Sequence, residues 1–106
     1  MTENPEAVFN ELIHAPLRLR ISGLLRNADE LDFSVVRDTL NIDDAKLSKN
    51  LKVLAEAGLI TVRKERSAAR NDARRVTWIT LSTHGRTTFD AHLAALTLIA
   101  TGTATR

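Results

Sequence analysis

Three lysines and an asparagine, Lys46, Lys49, Asn50 and Lys52, are set into the stretch DDAKLSKNLKVLAEAGLI, residues 43 to 60. Leu47, Leu51 and Leu54 in the same stretch are spaced by four and three, so in a helix they share one narrow face. Ala45, Lys46, Lys49 and Lys52 then fall on the far side, with Ser48 and Asn50 on the flanks. An ammonium group is a three-donor point charge, and an asparagine amide offers a donor and an acceptor side by side. Such a set suits a polyanion that also displays hydrogen-bonding edges. Lysines on exposed helix faces are common, so the weight of this face depends on its surroundings. Downstream, Arg63, Lys64, Arg66, Arg70, Arg74 and Arg75 stand against only two acidic residues between positions 63 and 75.

The net charge of +2 hides this asymmetry. Residues 1–45 balance to −5, residues 46–86 to +7 and residues 87–106 to zero. A basic middle of that size is the footprint of a polyanionic partner. A chain of 106 residues allows one domain, and 43% apolar with 26% charged residues is the composition of a globular protein. Cysteine is absent, which removes thiolate nucleophiles and thiolate metal sites together. There is no glycine-rich phosphate loop and no Ser/His/Asp or paired-carboxylate set at a telling spacing, so no catalytic role is expected. His84 and His92 are two helical turns apart and His14 is remote in sequence, so no metal and no cofactor is expected. No apolar run reaches the roughly 20 residues of a membrane span, and MTENPEAV lacks a signal-peptide pattern. A cytoplasmic protein with no membrane partner is the expectation.

The elements that would position these residues follow from caps and periodicity. Asn4 and Pro5 should start a first helix bearing Val8, Phe9, Leu12 and Ile13 on one face. Pro16 should open a second, with Leu17, Ile21, Leu24 and Leu25 inward. Leu31 to Phe33 reads as a brief strand, and Ser34 as the cap of a third helix through Val35, Val36 and Leu40. Asn41 and Ile42 make a tight turn, Asp43 caps the fourth helix, and Gly58 suits the left-handed position that ends it. LITVRKE (59–65) and RVTWITL (75–81) alternate as two strands joined by a basic loop, with Trp78 expected in the core. Ser82 caps a last helix in which Phe89, Leu93, Leu96 and Ile99 recur. That helix is so poor in charge that it needs cover on more than one side. Val8, Phe9, Leu12, Phe89, Leu93, Leu96 and Ile99 are therefore expected to meet a second copy, making residues 1–15 and 83–101 dimerisation helices of a single domain spanning 1–106.

Two helices joined by a tight turn and followed by a hairpin with a basic tip make a winged helix-turn-helix, mainly α with a small β-hairpin wing. The segments HAPLRLRISGLL (14–25), VVRDTLNIDDAKLSKNLKVLAEAGLITVRKE (35–65) and WITLSTHGR (78–86) resemble the winged-helix transcriptional regulators of bacteria and archaea in the MarR/ArsR neighbourhood. The likeness covers roughly residues 8–92. It departs at Leu81-Ser82-Thr83-His84-Gly85, where such proteins commonly read Leu-Thr-Pro-x-Gly. The resemblance implies a homodimer that binds double-stranded DNA as a repressor or activator, with residues 43–57 as recognition helix.

The residues support the same expectation on their own chemistry. Lysine reaches guanine acceptors and asparagine pairs with adenine in a major groove about 12 Å wide. Asp44, Ala45, Lys46, Ser48, Lys49, Asn50 and Lys52 would face the duplex, and a wing from about 63 to 75 would meet backbone or minor groove. The competing expectation is a protein-interaction module whose lysine face meets an acidic partner. Four arginines at a loop tip, Arg66, Arg70, Arg74 and Arg75, favour DNA. Nothing in the sequence names a small-molecule effector.

Overall fold

The computed structural model describes residues 6–66 and 75–102. The order is α1 (Glu11–His14), α2 (Pro16–Arg26), β1 (Leu31–Asp32), α3 (Phe33–Leu40), α4 (Asp44–Glu56), β2 (Ile60–Arg66), β3 (Arg75–Leu81) and α5 (Thr83–Ala100). The strands form one antiparallel sheet in the order β1-β3-β2, with Leu31 opposite Ile79 and Val62 opposite Ile79 from the other side. Ile13, Ile21, Leu25, Val36, Leu47, Leu54 and Ile79 are sealed from solvent between the helices and the sheet. This is the mainly helical winged-helix architecture with a small three-stranded sheet.

The helix-turn-helix is held by its caps. The Asp43 carboxylate accepts from the Lys46 amide at 2.7 Å, which starts α4 at Asp44, three residues after Asn41 turns the chain in the left-handed region, φ 55°. At the other end Gly58 has φ 76°, and the Leu59 amide reaches back to the Leu54 carbonyl at 3.0 Å, so the chain leaves α4 directly into β2. Ser82 caps α5, its hydroxyl accepting from the Gly85 amide and donating to the Gly58 carbonyl. One side chain thus fixes both the start of the last helix and the end of the fourth.

The N-terminus departs from its expected helix. Asn4 and Pro5 lie outside the described residues, residues 6–10 are irregular, and α1 is four residues long. Asn10 is its cap, the side chain accepting from Ile13 N at 2.8 Å. Upstream, the Val8 amide donates to the Ala91 carbonyl and the Asn10 amide to His92 Nδ1, at 3.1 and 3.0 Å. Two alternate amides spent on α5 leave an extended strap there, not a helix. Likewise α3 begins at Phe33, and its cap is Asp32 rather than Ser34, because the carboxylate that ends β1 already accepts from the Ser34 amide.

Two further expectations also change, one for the core and one for the dimer contact. Trp78 is only half-buried. Strand alternation gives the inward parity to Ile79, and the indole N–H of Trp78 donates outward to Glu65 at 2.9 Å. On α5 the buried stripe is Gly85, Phe89, His92 and Ala95 with Ala91, while Leu93 is 42% exposed. Phe89 is therefore part of the chain's own core, which removes it from the surface expected to meet a second copy.

His92 is wholly buried, and its Nδ1, an acceptor for a backbone N–H, carries no proton. Its proton must then sit on Nε2, facing Nδ1 of His14 at 3.2 Å. Burial, then the charge of His14, hold the His92 imidazole below its ordinary pKa. The unfolded chain takes up that proton near pH 6.5, the folded one only at lower pH, so the contribution is full above about 6.5 and is lost as pH falls below it. The urea midpoint should drop between about pH 7.5 and about pH 5.5. The drop should shrink in His92→Asn, whose amide oxygen can still accept from Asn10, and an undiminished drop would place the titration elsewhere.

Candidate nucleic-acid interface

The exposed side of α4 is built by what its other side buries. With Leu47, Leu51 and Leu54 in the core, Asp44, Ala45, Lys46, Ser48, Lys49 and Lys52 are all exposed, and Asn50 is half-buried. The structure adds two arginines that sequence reading left out of this surface. Arg37, in the last turn of α3, donates from Nε to Asp38 and from Nη1 to Asp44, both at 2.9 Å. Those two carboxylates raise its pKa, and the guanidinium offsets the one negative charge in the first turn of α4. Positions 37 and 44 flank the turn by seven residues, a spacing at which the pair could have been noticed.

Arg18 on α2 is the second. It donates from Nη1 to Asn50 Oδ1 at 3.1 Å and from Nε to the Leu12 carbonyl at 2.7 Å. Leu17, Arg18, Asp43, Ala45, Lys46, Lys49 and Asn50 line an open depression at the N-terminal half of α4. The Asn50 amide is thus engaged on both sides, since its nitrogen also donates to the Lys46 carbonyl at 2.9 Å.

A groove of about 380 Å³ runs between α4 and the hairpin, lined by Phe33, Ser48, Leu51, Lys52, Ala55, Val62, Lys64 and Thr77. Val62 and Lys64 share one face of β2, so Arg63 and Glu65 take the other. Arg63 is accordingly turned away from the groove that Val62 and Lys64 line. Its Nη2 reaches both Glu30 oxygens at 3.1 Å, and Nη1 reaches Glu65. Glu65, held by Arg63 and by the indole of Trp78, is kept below the usual carboxylate pKa. This cluster, one guanidinium between two carboxylates, ties the loop before β1 to the hairpin. Past it, Arg66 stands directly opposite Arg75 in the register, and like charges so placed disfavour the pairing unless an anion offsets them. Arg70 and Arg74 lie outside the described residues.

The remaining expected positions divide between surface and core. Val8 and Leu93 are exposed, with Leu98 beside them at 39% exposed, and Phe9, Leu12, Leu96 and Ile99 are half-buried. His14 and His92 meet ring to ring with Phe9, whereas His84 lines a separate hollow with Glu6, Val8, Asn10, Thr87, Thr88 and Ala91. Among the described residues no helix is long and apolar enough to cross a membrane.

This arrangement has relatives among solved structures. The transcriptional regulator homologue from Pyrococcus horikoshii OT3 is 22% identical over 88% of each chain, with a TM-score of 0.80. NadR in complex with 4-hydroxyphenylacetate is 24% identical, TM-score 0.67, over 88% of this chain and 62% of that one. Reduced AbfR bound to DNA is 22% identical, TM-score 0.59, over 74% of this chain and 52% of that one. At such identities the likeness is one of fold. No curated protein matches the chain. The sequence profile of the winged helix DNA-binding domain, however, matches residues 17–100, from the start of α2 to the end of α5 and across every element that bears the lysine face and the hairpin. The chain belongs to the winged helix DNA-binding domain family.

Proposed function

We propose that the protein is a homodimeric transcriptional regulator that binds duplex DNA sequence-specifically, with α4 in the major groove and the hairpin on the backbone or minor groove. The observation that carries this reading is the face of α4. Lys46, Ser48, Lys49 and Lys52 project from a helix anchored by three buried leucines, Asp44 is offset by Arg37, and Lys64 joins Ser48 and Lys52 across one groove. Lys46 and Lys49, in the N-terminal half, read base edges, as Ala45 and Ser48 pack alongside. Lys52, Lys64, Arg66, Arg70, Arg74 and Arg75 hold phosphates or a narrow minor groove. AbfR, of like fold, has been solved bound to DNA.

The strap and α5 supply the dimer contact through Val8, Phe9, Leu12, Leu93, Leu96 and Ile99, with Leu98 added. A single domain of residues 1–106 then presents two α4 helices to a two-fold symmetric site, its half-site centres about 10 base pairs or a multiple apart.

Selection from a pool of random duplexes across a salt series tests the reading. A symmetric sequence should be enriched, and log affinity should fall linearly with log salt, by about 0.9 per phosphate neutralised. Changing Lys64, Arg66 and Arg75 together to Ala should weaken binding evenly across sequences and flatten that slope by about 1 for every phosphate left without its cation. No enrichment at low salt overturns the proposal.

A further inference from the structure

Leu12 is four residues before Pro16, and proline has no N–H. The carbonyl of Leu12, which a continuous helix would have paired with the amide of residue 16, is left to find another donor. Arg18 Nε supplies it at 2.7 Å. The same guanidinium reaches α4, Nη1 donating to Asn50 Oδ1 at 3.1 Å. Because arginine only donates and the Lys46 carbonyl only accepts, the sense of the Asn50 amide is fixed: oxygen to Arg18, nitrogen to Lys46 at 2.9 Å. One donor and one acceptor position of the amide are thus engaged within the protein, and the residue is half-buried where Lys46 and Lys49 are exposed.

We propose that Arg18 is a positioning residue for DNA reading: through Asn50 it holds the recognition helix at a fixed set against the α1–α2 corner, and Asn50 acts as a strut, not as a base reader. The inference rests on the DNA-binding reading above and changes the role of one residue within it. A planar fork fixes the separation of its two acceptors as an ammonium cannot. The corner it grips is itself pinned to α5, through the Asn10 amide on His92. A small rotation of α4 would displace Lys46 and Lys49 together, so loss of the strut blurs several base positions at once.

The test is a double-mutant cycle read as base preference, using duplexes enriched by the wild type and each single-base variant of the half-site. Arg18→Met keeps the apolar stem and removes the fork; Asn50→Ala removes the amide; Arg18→Lys keeps the charge. Each of the three should lower discrimination about fivefold or more at several positions of the half-site, and Arg18→Met with Asn50→Ala combined should do no more than either alone. A loss of stability alone would scale all affinities without moving the preferences, and circular dichroism at the assay temperature confirms that each variant is folded. If Asn50→Ala erases preference at one base pair and Arg18→Met leaves that position intact, or if the two effects multiply, or if Arg18→Lys behaves as wild type, the strut is refuted while the DNA-binding reading stands. If the wild type enriches no sequence, both fall together.

Discussion

Gly85→Ala should unfold the protein at a temperature well below the wild type's. A methyl at this position would lie 2.0 Å from the Leu59 carbonyl oxygen and 2.9 Å from its carbon, distances at which something must move. Neither side can do so cheaply. The Leu59 carbonyl accepts from the Ser82 amide and its own amide is bonded to Leu54, while Gly85 N is held by the Ser82 hydroxyl. Seating the methyl means lifting α5 off the α4–β2 junction, which breaks the cap and opens the packing around Phe89. Overpacking costs about 1–3 kcal/mol where flexible side chains can yield; here backbone is struck, so about 3 kcal/mol or more is expected, a fall in Tm of more than about 10 °C. Gly23→Ala is the control. Its methyl would meet only Phe89 Cζ at 3.8 Å, an ordinary contact, and in mid-helix alanine should add about 0.5–1 kcal/mol. Thermal melts of the two variants should move in opposite directions. A Gly85→Ala melt within about 2 °C of wild type would mean that α5 is not seated on Leu59.

Gly85 marks what a sequence can and cannot disclose. The local signals were legible because their causes are local. The 4–3 leucine spacing of α4, the Asp43 and Ser82 caps and the left-handed Gly58 each depend on residues within a turn or two, and the winged-helix order followed from them. What stayed hidden depends on partners distant in the chain. Residues 6–10 stay out of α1, which starts after Asn10, because the amides of Val8 and Asn10 find acceptors on α5. Trp78 faces outward because β3 lies between β1 and β2, so its parity is set by Ile79 meeting Leu31 and Val62. The stripe of Phe89, Leu93 and Leu96 is an equally good helical pattern to the one observed, and the choice fell to position 85, where the lack of a side chain lets α5 approach the Leu59 carbonyl. The charges follow the same rule. Six cations from 63 to 75 can be counted in a sequence, but Glu30, some thirty residues earlier, determines which of them is already paired.

That distinction gives the largest effect expected on binding. With Lys46 and Lys49 both changed to Ala, affinity for the enriched duplex should fall at least thirtyfold, while Arg63→Ala should change it by less than about twofold. The first figure follows from about 1–3 kcal/mol for each cation that meets a base edge, so that two together amount to about 2 kcal/mol or more. The second follows from geometry: Arg63 is on the opposite face of β2 from Lys64, with Glu30 and Glu65 around its guanidinium. It has no charge to spare for a phosphate. Both lysines are exposed, and the carboxylate of Asp44 beside them is occupied by Arg37. Anisotropy titrations at about 0.1 M salt, where the Debye length is about 10 Å, separate such contacts from diffuse attraction. If Arg63→Ala weakens binding as much as the lysine pair does, summed charge matters more than position, and α4 would lose its standing as the reading element. If only the lysine pair matters, the duplex is recognised by the helix face that the three buried leucines of α4 turn outward.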